Sequence, residues 1–190
     1  MKALLFSGAF MIVTTFCVAQ KADLHWGLKG GLNISNIASS PNVNYDAKAG
    51  LHAGGLAHIH LSKSWALQPE IMYSNQGAQM GDTKTRLHYV NVPLQLQYMF
   101  DMGFRLQTGP QVGVLAGANV KQGDTKVNVS NSFKPADFGW TFGTSYVRES
   151  GLGIDARYNH GFSRINDGGS TNLYNRNFQV SLFYVLKHKY

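Results

Sequence analysis

The chain contains one cysteine, Cys17, and none after it. That excludes a disulfide framework and any thiolate metal centre or C-x-x-C redox pair in the body of the protein. Charge is scarce, at 14% Asp, Glu, Lys and Arg, and the +7 net charge is spread over scattered Lys and Arg with no basic run. Such a distribution does not form a nucleic-acid site. G-x-S-x-G, P-loop and H-E-x-x-H motifs are absent, and the sequence marks no catalytic, cofactor-binding or metal-ligating residues. Beyond residue 20 there is no apolar run long enough to cross a membrane as a helix.

What the chain has instead is strict alternation. From Phe104 to Ala118, the residues Phe104, Leu106, Thr108, Pro110, Val112, Val114, Ala116 and Ala118 fall on one strand face. Arg105, Gln107, Gly109, Gln111, Gly113, Leu115 and Gly117 fall on the other. Soluble strands average about five or six residues, whereas a tilted bilayer-crossing strand needs about nine to eleven. Length and alternation together predict a transmembrane β-barrel, apolar outside and polar within.

The first residues predict the route. Met1-Lys2 is followed by a mostly apolar run to Val13 and then by Cys17-Val18-Ala19, the order of a secretory signal. Cleavage after Ala19 gives a signal peptide, 1–19, and one barrel domain, 20–190.

Eight antiparallel strands are expected, near 23–34, 47–61, 65–75, 86–100, 104–119, 136–147, 151–163 and 174–187. Three-residue turns at Ser62-Lys63-Ser64, Asp101-Met102-Gly103 and Arg148-Glu149-Ser150 alternate with four longer polar connections: Ser35–Asp46, Gln76–Thr85, Val120–Pro135 and Arg164–Leu173. That asymmetry is typical of an up-and-down outer-membrane barrel with the long loops outside. Aromatics near the short turns (Trp26, Trp65, Tyr98, Phe100, Phe104, Tyr146, Tyr184) predict an interfacial girdle.

The inward faces are rich in glycine. This lets long side chains cross a narrow interior, so a plugged lumen is expected. Glu70, Arg105, Asp137, Asp155 and Arg157 are the inward charges, expected to pair with one another. His25, His58 and His60, with Gln68 and Glu70 close by, suggest either a metal site or a polar network, and the network is preferred because nothing fixes the imidazole geometry. Asp82 and His88 are the sole hint of a rim hydrolase. Pro69, Pro93 and Pro110, all mid-strand, predict a bulge or local bend at each position.

Several segments carry a family resemblance: Gly27-Leu28-Lys29-Gly30-Gly31-Leu32-Asn33, Tyr89 to Tyr98, Thr108 to Leu115, Asp137-Phe138-Gly139 and Asp155 to Gly161. With them the chain resembles the outer-membrane β-barrel domain family of small porin-like and PorT-like bacterial barrels. The resemblance implies a fold and a compartment, the Gram-negative outer membrane, and no reaction. Phe183 departs from it, standing where such proteins often carry glycine. The expected role is structural, adhesive or surface-binding and not enzymatic. Expected partners are outer-membrane lipids, the barrel assembly machinery and an extracellular ligand at the long loops, with no nucleic acid; the expected state is a monomer. A narrow channel for small solutes is one alternative. A secreted lipocalin-like binder, which needs an apolar interior, is another.

Overall fold

Alternating sequence becomes alternating exposure in the computed structural model, which describes residues 23–40, 46–168 and 171–186. The expected signal peptide, residues 41–45 of the first long connection and the final residues with Tyr190 lie outside the described residues. Among the described residues nine strands occur: β1 (Leu24–Ser40), β2 (Asp46–His60), β3 (Trp65–Met80), β4 (Thr83–Met99), β5 (Phe104–Gln122), β6 (Thr125–Asn128), β7 (Ala136–Val147), β8 (Leu152–Gly161) and β9 (Asn172–Val185). All pair antiparallel. Eight of them form a ring, β1 to β5 and β7 to β9, closed by β1 against β9 from Gly27↔Val185 to Ser40↔Asn172 and by β4 against β5. β6 is a short outer flap that pairs only with the end of β5.

The faces follow the sequence. Leu28, Leu32 and Leu182 are more than 60% exposed, whereas Asn33, Gln95 and Arg105 are at most 1% exposed. Large apolar side chains are bare on every strand of the ring and polar ones fill its inside, the inverse of a soluble barrel. The lipocalin-like alternative fails on this observation. At the short-turn end the outward rings touch: Trp65 and Tyr98 meet edge-on at 5.0 Å, and Tyr98 and Phe100 at 4.8 Å.

Five expectations are corrected. β1 runs on to Ser40, through the first half of the connection expected over Ser35–Asp46, because it stays paired with β9 to Ser40↔Asn172. The connection expected over Gln76–Thr85 is mostly strand, because β3 and β4 run on as a hairpin turned at Gly81-Asp82. The connection over Val120–Pro135 likewise holds the end of β5, a turn at Gly123-Asp124, β6 and a single 3₁₀ turn, Ser130–Ser132. Gly81 and Gly123 take φ near +55°, a conformation that side chains with a Cβ rarely adopt. The mid-strand prolines do not produce bulges: β3 and β4 skip pairs after Pro69↔Leu94 and resume in the same register at Met72↔Asn91, and β4 and β5 do so after Pro93↔Gln111. The register shifts lie elsewhere, between Ala47 and His52 on β2 and between His88 and Tyr89 on β4.

At the second shift, His88 pairs with Gly117 and Tyr89 with Leu115, so Ala116 is the extra residue. An inserted residue reverses every later face. Ala118, expected to face lipid, is therefore fully buried opposite Leu87.

The face assignment carries a prediction. Val112→Arg, on the lipid side near mid-strand, is expected to cost about 2–4 kcal/mol. Gln111→Arg points inward beside Asp137 and should cost far less. Equilibrium unfolding in lipid measures both, and equal costs would show the faces to be misassigned.

Candidate functional site

The lumen is built by residues in the inward phase of each strand. Lys29 comes from β1, Gln68 and Glu70 from β3, Arg105 and Gln107 from β5, and Asp155 and Arg157 from β8. In the ring order, β3 and β8 are diametrically opposite, with three strands between them either way. Arg157 nonetheless reaches Glu70 with both terminal nitrogens, Nη1 to Oε2 at 2.9 Å and Nη2 to Oε1 at 3.0 Å. The side chains therefore span the lumen diameter. Arg157 also meets Asp155 at 3.1 Å, and Lys29 Nζ lies 2.8 Å from Asp155 and 3.5 Å from Glu70. Two cations and two anions thus share one site, each side chain at most 2% exposed.

Amides complete the site. Gln68 donates to Glu70 at 2.7 Å, Gln107 donates to Asp155, and Gln97 donates to Gln107 at 3.0 Å. Buried charges need this degree of partnering, because desolvation otherwise exceeds their attraction. Glycines make the room: a Cβ on Gly143 would fall 2.6 Å from that of Arg157, and one on Gly109 would overlap the Leu94 carbonyl.

Below this cluster, toward the short turns, lies the histidine group. His25 and His58 are direct cross-strand neighbours, as expected. His58 and His60 rings meet at right angles with centroids 4.6 Å apart, Gln68 meets His58 at 3.3 Å, and Arg105 approaches both nitrogens of His58 at 3.5 Å. A guanidinium pressed on an imidazole disfavours a metal cation there. Among the described residues, no group of three His, Cys, Asp or Glu is disposed to hold a metal ion. Beside this layer, Leu56, Val147, Phe183 and Val185 form an apolar cluster. Phe183 fills the space left by Gly153, as its departure from the glycine pattern implies.

Above the cluster, the polar packing continues. Asn33 donates to Ser74 at 2.9 Å, Thr141 to Gln95 at 2.7 Å, and Asn175 to Gln76. Asp137 stands apart from the other charges, accepting from Ser163 at 2.6 Å. The cavity in this layer, between Gln76, Gln111, Asp137, Asn159 and Asn175, measures about 10 Å³. That is close to the space of a single water. Ile37, Ala78, Leu87, Tyr89, Ala118 and Ile165 then form an apolar cap, joined by Phe133 from the connection before β7 and Leu173 at the start of β9.

All five expected inward charges are buried, but only Glu70, Asp155 and Arg157 come together. Lys29 was not among the expected charges, although its phase with Gly27 and Gly31 marks it as inward. Asp82 and His88 do not form a pair: Asp82 is exposed in a turn, while His88 Nδ1 lies 2.6 Å from the Tyr73 hydroxyl on the outer face.

A family model described as outer membrane protein beta-barrel domain matches residues 18–167. No curated protein matches the chain in sequence. Among solved structures it is similar to Neisserial surface protein A (13% identity, TM-score 0.61), with 84% of this chain and 96% of that one covered. It is also similar to Ail, the attachment invasion locus protein of Yersinia pestis (11% identity, TM-score 0.52, 85% and 98% covered). A second Ail structure, in complex with the heparin analogue sucrose octasulfate, matches at 10% identity and TM-score 0.53, with 86% and 99% covered.

Proposed function

The chain belongs to the outer membrane protein beta-barrel domain family, and from that premise we propose that it is a closed barrel whose work is done at its long-loop end. It is an integral protein of the Gram-negative outer membrane. One observation carries the proposal: the lumen is occupied from the histidine layer to the apolar cap, with a cavity of about 10 Å³ in its upper polar layer. A barrel without a water-filled path offers solutes no route. What it holds up to solution is the outer hairpins and the surface they form. Adhesion, or binding of an extracellular ligand there, is the role that fits. The attachment protein Ail, similar in fold, supports this reading.

In the same reading, residues 1–19 direct export, the final strand is what the assembly machinery engages, the barrel acts as a monomer, and it carries no catalytic residues, cofactor or metal. The experiment has two arms. Cysteines at Gly123 and Gly168 should react with a membrane-impermeant reagent on intact cells, while one at Lys63 in a short turn should not. Purified protein in a planar bilayer should show no unitary conductance. Labelling at Lys63 alone would invert the topology, and steady conductance would overturn the closed lumen in favour of the channel.

A further inference from the structure

On β4 a single file of side chains faces outward without interruption: Tyr98, Leu96, Leu94, Val92 and Val90, then His88, Arg86 and Lys84. The face does not change where the chemistry does. Facing across the strands, Lys84 sits opposite Lys121 on β5, and Lys121 opposite Lys126 on β6. Like charges directly opposed across a sheet destabilise it, so a row of three requires a reason. The extra residue at Ala116 resets the phase of β5: the alternation of Val112 and Val114, continued regularly through it, would turn Lys121 into the barrel. Lys48, beside the other register shift, joins the same surface by donating to Asn75 at 2.8 Å, and Asn75 is the cross-strand neighbour of His88.

Among the described residues, none of Lys48, Lys84, Arg86, Lys121 and Lys126 forms an ion pair. The nearby carboxylates are Asp82 and Asp124, in the hairpin turns beyond the lysine row, and Asp46, opposite Gln79. Burial and the neighbouring Arg86 and Lys84 lower the Lys48 pKa. The cations are therefore close enough to feel one another.

We infer that this outward basic face, Lys84, Arg86, Lys121 and Lys126 with Lys48 at its edge, binds the phosphate headgroups of anionic lipid in the leaflet on the long-loop side. Its height and direction argue for lipid over a soluble anion. Arg86 is four residues beyond Val90, about 14 Å along the strand and about 10 Å above the apolar belt at a tilt of about 35–45°, and the lysine row at Lys84 stands about 5 Å higher. The interfacial layer of a bilayer is about 5–8 Å deep, and Arg and Lys stems reach down toward it. The face also looks sideways, into the membrane's own headgroups. A groove of about 560 Å³ between Gln79, Lys84, Arg86 and Lys121, with Asp82 also lining it, gives a phosphate a place to sit against three cations and one carboxylate.

The test reconstitutes the full chain in phosphatidylcholine bilayers with a trace of spin-labelled phosphatidic acid or spin-labelled phosphatidylcholine. The motionally restricted fraction of each label gives their relative association. Phosphatidic acid should be favoured about fivefold. That preference should fall to near one in the Lys84→Gln, Arg86→Gln, Lys121→Gln, Lys126→Gln variant and should persist in Lys63→Gln, Arg148→Gln, whose charges lie at the short turns. Heat-modifiable gel mobility confirms that each variant is folded and inserted, which separates failure of this inference from failure of the barrel. A preference unchanged in the quadruple variant, or lost in the short-turn variant, overturns the assignment. So does abolition by millimolar inorganic phosphate at constant ionic strength, which would make the site one for a free anion.

Discussion

Glu70→Gln is expected to destabilise the barrel by about 3–5 kcal/mol, far more than loss of a surface ion pair. The reason is arithmetic inside a closed lumen. Lys29, Arg157, Glu70 and Asp155 sum to zero charge, and Glu70 accepts both terminal nitrogens of Arg157. Removing its charge leaves Arg157 and Lys29 facing a single carboxylate, at a site where each side chain is at most 2% exposed. The glutamine keeps the volume and one acceptor, so the cost reports charge and not a cavity. Lys29→Met in the same chain restores neutrality, and the double variant should recover a substantial part of the loss. That recovery, a coupling energy of the kind a double-mutant cycle isolates, is the sharper result. Urea unfolding in lipid vesicles, followed by tryptophan emission, measures all three variants. A single-variant cost below about 1 kcal/mol would mean that the cluster behaves as a solvated pair and that the lumen is wet.

How far the sequence shows this cluster depends on the residue. Glu70, Asp155 and Arg157 sit in strands whose alternation is clean, so phase alone turns them inward. Lys29 obeys the same rule, but Lys29-Gly30-Gly31 also looks like a flexible glycine segment, and the charge is easily overlooked. Ala118 could not be placed from its own strand. A bulge is a mismatch in residue count between two partners, and the alternation of β5 runs through Ala116 unbroken; the extra residue exists only relative to β4. The prolines mislead in the opposite sense. A missing N–H removes a ladder bond, yet the neighbouring strands keep the register, so the pairing skips and resumes. The outer hairpins were hidden for a third reason. Above the membrane no continuous apolar face is needed, so Gln76–Thr85, with only Ala78 and Met80 apolar and on the same phase as Gln76, lacks the long alternation by which a strand is recognised. The diametric pairing of β3 with β8 follows from ring closure and not from any local pattern.

Deleting residues 178–190 is expected to abolish folding outright, the largest effect of any change considered. β9 is bonded on both sides, to β1 from Gly27↔Val185 outward and to β8 from Leu152↔Tyr184 to His160↔Arg176. Without Phe178 to Val185, the membrane-spanning halves of β1 and β8 would each present a row of unpaired N–H and C=O groups to hydrocarbon. No water there can satisfy them, and each group costs several kcal/mol. A seven-stranded ring would not rescue the fold, because the Arg157–Glu70 pair crosses a lumen of fixed diameter and Phe183 would be gone from its place against Gly153. Loss of the terminal strand could also act in cells by removing what the assembly machinery engages, so the decisive measurement is refolding of the purified chain into detergent or short-chain lipid without that machinery. The truncated chain should show no heat-modifiable band and no cooperative unfolding. Tyr190→Ala, by contrast, should refold with nearly unchanged stability in vitro and accumulate more slowly in the outer membrane. If the truncated chain refolds to a compact, heat-modifiable species, the closure of β1 on β9 is not what holds the barrel together.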